Sequence, residues 1–267
     1  MKRLDRLMDL TGRSAIIAGG GGFIGAEAAS VLVELGASVA LLDIDDIKTQ
    51  RVAHQLNTQR AGCVHAILCD LSKEESTRAS AQEAAHLLGG CDILIHSAAL
   101  TGMSKVSGWA VPFEQQSVEA INLGYQINVT SAFVLAQELC SKLRKSGNGS
   151  IVFVGSVFGS IAPDMEIYRG TQMVNPVGYG ASKGGLLQLT KYLSSLLAPE
   201  VRVNAISPGG IERGQPEIFQ ERYRERTPLR RLATEQDMGG AFAYLASDMS
   251  SYVTGQNLIV DGGYTTW

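Results

Sequence analysis

The chain of 267 residues predicts an α/β fold in one domain: a doubly wound, seven-stranded parallel sheet flanked by helices. Three observations carry this. Short runs that are apolar almost throughout recur along the chain, as strands covered on both faces do. Helix-length segments separate them, so successive strands connect by right-handed crossovers. The first run opens into a glycine-rich turn, and a helical pattern follows it.

The predicted strands are 14–18, 38–42, 64–68, 92–96, 150–154, 201–206 and 257–260, and helical spacing is clearest over 26–35, 128–143 and 184–197. No linker, repeat or low-complexity stretch divides residues 1–267, but two segments read as excursions from the sheet-and-helix alternation, 161–177 and 212–232. Apolar residues make up 45% and charged residues 18%, ordinary values for a folded protein with a sizeable core. A net charge of −3 and the absence of like-charge blocks argue against nucleic acid as a partner. Residues 1–10 alternate charge with leucine and lack the apolar stretch of a signal peptide. The most apolar region, 15–42, is interrupted by glycines and by Glu27 and Glu34, so no membrane span is expected. Cys63, Cys69, Cys91 and Cys140 form no Cys-x-x-Cys pair, and the histidines are scattered. The expectation is a cytoplasmic protein without disulfides or a metal site.

Gly19, Gly22 and Gly25 are spaced through the turn that leaves the first strand, with Phe23 and Ile24 between the last two. Glycine lets backbone N–H groups approach a diphosphate, and the helix N-terminus behind them favours negative charge. This strand–turn–helix setting is that of a Rossmann dinucleotide-binding unit. Asp43, 18 residues beyond Gly25, ends the second strand, where a carboxylate accepts hydrogen bonds from ribose hydroxyls and repels a 2′-phosphate. No Lys or Arg stands in the loop or after Asp43 before Lys48, so NAD(H) is favoured over NADP(H). Asp45 or Asp46 suits the cap of the next helix. Asp70, after the third strand, either contacts adenine or caps a helix beginning near Ser72.

Tyr179 and Lys183 are four residues apart, one turn along a helix face. An ammonium beside a phenol favours the phenolate and lowers a pKa that is ordinarily near 10. Such a pair can serve as acid for carbonyl reduction or base for alcohol oxidation. By itself the pattern also fits a surface tyrosine and a solvated lysine.

The surrounding marks decide between these. Gly19-x-x-Gly22-x-x-Gly25, Asp43, Asp70, Ser97-Ala98-Ala99, Asn128, Gly155-Ser156, Tyr179-x-x-x-Lys183, Ser207-Pro208-Gly209-Gly210-Ile211 and Val260-Asp261-Gly262-Gly263 occur in this order. Over essentially its whole length the chain resembles the short-chain dehydrogenase/reductase family. The resemblance implies that Tyr179 is the general acid/base, that Lys183 tunes it and holds the nicotinamide ribose, and that Ser156 binds the substrate oxygen. Asn128 would hold a water linking Lys183 to solvent. Asp70 and Leu71 would meet adenine, Ser97, Ala98 and Ala99 would line the cofactor, and Pro208, Gly209 and Ile211 would pack on the nicotinamide. Tetramers or dimers are the family's habit, packing the helix of Tyr179 and the long helix before it; Leu186, Leu187, Leu189 and Leu193 suit such a face and the monomer core equally.

The chain departs from the family pattern in several places. Ala18 stands where threonine is frequent. Phe23 stands where the compact branch of the family has glycine. Ser97 replaces an asparagine that braces the sheet. Ser156 precedes Tyr179 by 23 residues, a longer separation than usual, and the extra residues fall within 161–177. Tyr168 has Gln172, not lysine, four residues on. The insert carries Asp164, Glu166, Arg169, Thr171, Gln172 and Asn175, which suggest a polar, sugar-like substrate. Arg169 and Arg213 are the candidate substrate contacts. The arginines at 213, 222, 224, 226, 230 and 231 form either a solvated face, with glutamates interleaved, or a lid offering a guanidinium to a carboxylate or phosphate. Insert and tail resemble a bacterial subgroup that accompanies surface-glycan synthesis, including nonulosonic acids, where oxidation followed by reduction would epimerise a carbon. Two other readings are a 3-oxoacyl thioester reductase, which the acidic Asp43 disfavours, and a non-catalytic protein that keeps the fold.

Overall fold

The computed structural model describes residues 3–267; Met1 and Lys2, the start of the charged 1–10 segment, lie outside the described residues. Seven strands form one sheet: β1 (Ser14–Ala18), β2 (Ser38–Asp43), β3 (Val64–Leu68), β4 (Ile93–His96), β5 (Gly149–Val154), β6 (Val201–Pro208) and β7 (Asn257–Val260). They run parallel in the order β3-β2-β1-β4-β5-β6-β7. The fold is the expected doubly wound sheet. β2 reaches one residue further than predicted, to include Asp43, and β6 two further, through Pro208.

Nine α-helices accompany the sheet among the described residues: α1 (Arg3–Met8), α2 (Phe23–Glu34), α3 (Asp46–Asn57), α4 (Glu74–Leu87), α5 (Val118–Tyr125), α6 (Ser131–Lys145), α7 (Val177–Leu197), α8 (Glu217–Arg226) and α9 (Gly239–Ala246). Alternation along the strands divides the core into two layers. Ala15, Ile17, Val39, Leu41, Ile95 and Val152 face α2, α3 and α9, through Leu32, Leu56 and Phe242. Ile16, Ala18, Leu42, Leu94, Ile151 and Phe153 face α4, α6 and α7, through Ala84, Leu135 and Leu186. Every residue of β1 and β5 is buried, whereas the edge strands β3 and β7 are partly exposed. Asp45, not Asp46, caps α3 by accepting from Lys48 N at 3.1 Å.

Leu186 and Leu193 belong to this second core layer and are buried, so they do not form an assembly face; Leu189 packs against the same layer. The exposed large apolar side chains of α5, α6 and α7 are Val118, Tyr125, Phe133, Val177, Tyr192 and Leu196. No helix among the described residues is long and apolar enough to cross a membrane.

α7 starts well before the predicted 184, although Gly178, Gly180, Gly184 and Gly185 all fall in its first half. Tertiary packing outweighs their low helix propensity. A Cβ at Gly178 would stand 2.7 Å from the Trp109 ring, so glycine is what lets the helix lie against that buried indole.

Leu94 is fully buried at the middle of β4. Leu94→Ala removes three carbons from the layer under α6 and should cost about 2–5 kcal/mol of stability, measured by urea unfolding; a change below about 1 kcal/mol would contradict this account of the core.

Candidate active site

The strand order reverses between β1 and β4, and in a parallel sheet the crevice at that reversal opens over the carboxyl ends of the strands. Gly19, Asp43, Asp70, Ser97, Ser156 and Pro208 all stand at or within two residues of those ends.

The glycine loop is held by backbone geometry. Gly19 N and Gly20 N both donate to Leu42 O, at 2.8 and 3.2 Å, and Gly19 has φ +80°. A Cβ at Gly25 would meet Gly19 O at 2.1 Å, so any side chain there would push loop and helix apart. No side chain caps α2, and its first intrahelical bond is Ala26 N to Gly22 O at 2.8 Å. The amides of Phe23, Ile24 and Gly25 therefore have no intrahelical acceptor, and they form a positive helix end suited to phosphate oxygens. Asp43 is fixed beside them: its Oδ2 accepts from Gly21 N and its Oδ1 from Asp45 N, each at 3.0 Å. A hollow of about 420 Å³ adjoins this loop, lined by Gly22, Phe23, Asp43, Lys48 and Arg51 among others. These residues fit an adenine dinucleotide. The same hollow brings Lys48 and Arg51 near Asp43, a proximity that distance along the chain concealed.

Ser97 does brace the sheet, contrary to the expected loss. Its hydroxyl donates to Ala18 O at 2.9 Å and approaches Gly19 O at 3.3 Å, tying β4 to the glycine loop. Asp70 is not a helix cap. Its Oδ1 accepts from Ser72 N at 3.0 Å and Ser72 Oγ at 2.6 Å, whereas α4 begins at Glu74, with Lys73 at the cap position and no side-chain bond there.

Tyr179 and Lys183 lie on the first turns of α7, and Ser156 follows β5 across from them. Ser156 Oγ accepts from Phe158 N at 3.2 Å, which fixes the side chain. Burial raises the Tyr179 pKa, and the Ser156 hydroxyl and the Arg213 charge pull it partly back. Lys183 Nζ stands 5.9 Å from the Tyr179 ring centre. It is almost wholly buried, donates to Val154 O at 2.6 Å, and desolvation takes its pKa down to about 7. The expected lowering of the tyrosine by lysine is thus not the net effect: burial outweighs it, and the cation that acts on the phenol is Arg213.

Asn128 sits in a π-helical turn, 126–130, that joins α5 to α6. Its Oδ1 accepts from Leu100 N at 2.8 Å and its Nδ2 donates to Ser182 Oγ at 2.9 Å and Leu100 O at 3.4 Å, so both amide protons are used and Oδ1 keeps a lone pair for a further donor. A neighbour that sequence reasoning missed is His96, fully buried at the end of β4, with Nε2 2.7 Å from Ser131 Oγ and Nδ1 unpartnered. Desolvation, helped by the nearby Lys183 charge, pushes its pKa down to about 3, so it is neutral. Its signal was its place at a strand end.

Several polar groups of the insert bond within the protein. Asp164 caps a 3₁₀ turn (Met165–Tyr168) and pairs with Arg226; Thr171 Oγ1 donates to Tyr168 O at 2.7 Å; Asn175 Nδ2 donates to Tyr168 OH at 3.1 Å. Arg169 faces solvent with 75% of its side chain exposed and pairs with Glu166 at 3.2 Å, a placement that does not suit a substrate contact. Arg222 donates to the carbonyls of Glu166 and Arg169, Arg224 pairs with Glu217, Arg230 binds Glu225 O, and Arg231 pairs with Asp237. The structure favours the solvated face over the lid: these arginines sit at the surface, paired with nearby acidic side chains or backbone carbonyls. Arg213 instead stacks on Phe23 at the start of α2. Tyr168, set aside for lacking a lysine partner, lies close enough to Tyr179 and Tyr264 for their charges to affect it.

Fold and site define a dinucleotide-dependent oxidoreductase. The profile of a family described as enoyl-(acyl carrier protein) reductase matches residues 21–265. Sorbose reductase of Schizosaccharomyces pombe is 30% identical over 266 residues, 97% of this chain and 98% of that protein. The 7α-hydroxysteroid dehydrogenase of Escherichia coli is 32% identical over 261 residues, 95% of this chain and 94% of that protein. A short-chain dehydrogenase structure from Leptospira borgpetersenii with bound NAD+ superposes with a TM-score of 0.83 at 31% identity, covering 99% of this chain and 96% of that one. The chain belongs to the short-chain dehydrogenase/reductase family, whose fold binds NAD(P).

The Lys183 environment gives a pH test. In the fold the lysine loses its proton near pH 7, and in the unfolded chain near 10.5. Between these values the unfolded chain binds more protons, so this group makes stability rise with pH across that window. Lys183→Met, which cannot titrate, should show a flatter dependence in urea unfolding; equal slopes would mean that the lysine stays charged in the fold.

Proposed function

We propose that the protein interconverts an alcohol and a ketone on a polar, sugar-like substrate with NAD(H), using Tyr179 as the proton donor and acceptor. The observation that carries this is the meeting of Tyr179 and Ser156 at the end of β5, above the buried Lys183 and next to the glycine loop.

When bound, the nicotinamide dinucleotide supplies or takes up the hydride. Gly19, Gly22, Phe23, Ile24 and Gly25 hold its diphosphate. Asp43 holds the adenosine ribose, and Asp70 and Leu71 flank adenine. Ser97, Ala98 and Ala99 form the floor, Tyr179 and Lys183 hold the nicotinamide ribose, and Pro208, Gly209 and Ile211 back the nicotinamide. Ser156, whose oxygen already accepts from Phe158 N, keeps its proton to donate to the substrate oxygen. Tyr179 gives its proton to that oxygen in reduction and takes it back in oxidation. Its raised pKa makes the neutral phenol the resting form, which suits the acid role. Lys183 lies beneath the phenol as the group through which a proton is replaced.

NAD(H) is favoured by the carboxylate of Asp43, which is fixed toward the loop by two backbone amides. Lys48 pairs with Asp45 at 2.7 Å in an exposed contact and Arg51 lines the same hollow, so the preference rests on the Asp43 carboxylate. Similarity to sorbose reductase supports the sugar-like class. A nonulosonic acid is the less favoured member of that class, because the arginines of 222–231 are all engaged within the protein. The exposed Tyr125, Phe133, Tyr192 and Leu196 suit a homodimer or homotetramer, which sedimentation would reveal; a monomer at micromolar concentration would remove that part. Four unpaired thiols fit a cytoplasmic location.

Tyr179→Phe should retain NADH binding, followed by fluorescence titration, and lose turnover on keto sugars and polyols by about 10²–10⁴-fold. Surviving turnover would overturn the mechanism, and tighter binding of NADPH than NADH would overturn the role of Asp43.

A further inference from the structure

Two side chains from opposite walls of the crevice touch. Phe23 is the first residue of α2, and Arg213 lies in the loop after β6; the guanidinium carbon stands 4.5 Å from the centre of the Phe23 ring. Phe23 is otherwise 66% exposed, an unusual place for a large aromatic side chain. The Arg213 loop is held in place: its amide donates to Gln215 Oε1 at 2.7 Å, Gln215 Nε2 donates to Ile211 O at 2.7 Å, and Arg213 Nε donates to Glu235 at 3.0 Å. Nη1 and Nη2 have no acceptor among the described residues, although only 23% of the side chain is exposed. A guanidinium fixed on one edge and stacked on one face, with its remaining donors unmatched, is preorganised for an oxyanion.

The neighbouring groups indicate which oxyanion. Phe23, on which the guanidinium stacks, also contributes one of the amides without an intrahelical acceptor at the start of α2. The anion that the strand–turn–helix unit delivers to that helix end is the diphosphate of the dinucleotide. We infer that Arg213 and Phe23 form a clasp across the crevice, in which Arg213 binds the diphosphate of the dinucleotide and Phe23 holds the guanidinium over it. The clasp rests on the dinucleotide-binding reading above, and it assigns Arg213 to the cofactor, not to the substrate.

The test is calorimetric titration of the purified protein with NADH, ADP-ribose and adenosine. In Arg213→Met, NADH and ADP-ribose should weaken about 10–100-fold, the size of a lost charge-assisted contact, while adenosine changes less than about threefold. Phe23→Ala should weaken the same two ligands by a smaller factor, about two- to fivefold, and spare adenosine. Raised salt should weaken NADH more for the native protein than for Arg213→Met. Unchanged NADH and ADP-ribose binding in both variants would overturn the clasp; if the KM of the carbonyl substrate rose instead, Arg213 would belong to the substrate. Equal weakening of all three ligands would also overturn it, leaving Arg213 as a strut to Glu235. Phe23→Ala keeps the question open to refutation should Arg213→Met fail to fold. A native protein that binds none of NADH, NADPH or ADP-ribose would instead refute the dinucleotide reading itself.

Discussion

Because all seven strands run the same way, every carboxyl end arrives at one edge of the sheet. The strands are too buried to carry chemistry along their length, so the first residues able to leave the core are those just past each end. Register then fixes their spacing. Ala18 pairs with both Leu42 and His96, His96 with Phe153, Val154 with Ile206, and Pro208 with Val260. Neighbouring strands are separated by about 4.8 Å, so the distances between glycine loop, Ser97, Ser156 and Pro208 are set by sheet hydrogen bonds and not by loops. Ser97 strengthens this at the reversal point, because its hydroxyl joins β4 to the carbonyls at the end of β1.

On that frame the chain buries two basic groups close together. Lys183 has one hydrogen bond, to Val154 O, and His96 has one, to Ser131; each is depressed chiefly by desolvation. Burying an ammonium without a carboxylate partner is costly, and proteins relieve the cost by releasing the proton. The lysine therefore stands at the boundary between its two states near neutral pH, which suits a group that passes a proton on. The phenol above it is governed by other neighbours: burial raises it, and Ser156 and Arg213 restrain the rise.

Much of this was legible in the sequence. Apolar runs located every strand, because strands covered on both faces have few alternatives. The glycine spacing, Asp43 and the Tyr179/Lys183 pair were found because each sits at a position the fold dictates. What stayed hidden was which acceptor each donor meets. Asn128 was visible as a residue but not as the brace between Leu100 and Ser182. Asp70 looked like a cap because sequence does not show that α4 starts two residues after the turn Asp70 closes. The start of α7 was obscured by glycines whose purpose lies in Trp109, a distant residue.

The insert is the clearest case of a polar sequence with an apolar role. Its carboxylates and amides lock its own turns and bind α8, and beneath them Ile167, Phe219, Tyr223, Leu232 and Tyr264 form a small separate core. Tyr223 and Tyr264 stack with ring centres 4.5 Å apart, and the Tyr223 hydroxyl accepts from Gly210 N. A Cβ at Gly210 would stand 2.7 Å from that ring, so glycine there is a packing requirement. Insert, α8 and the loop after β6 are therefore one packed unit. A lid that opens needs few buried contacts, and this wall has many. The wall therefore has a fixed shape, set by the aromatic packing behind it, and Tyr168 is the part of it whose charge is felt from Tyr179.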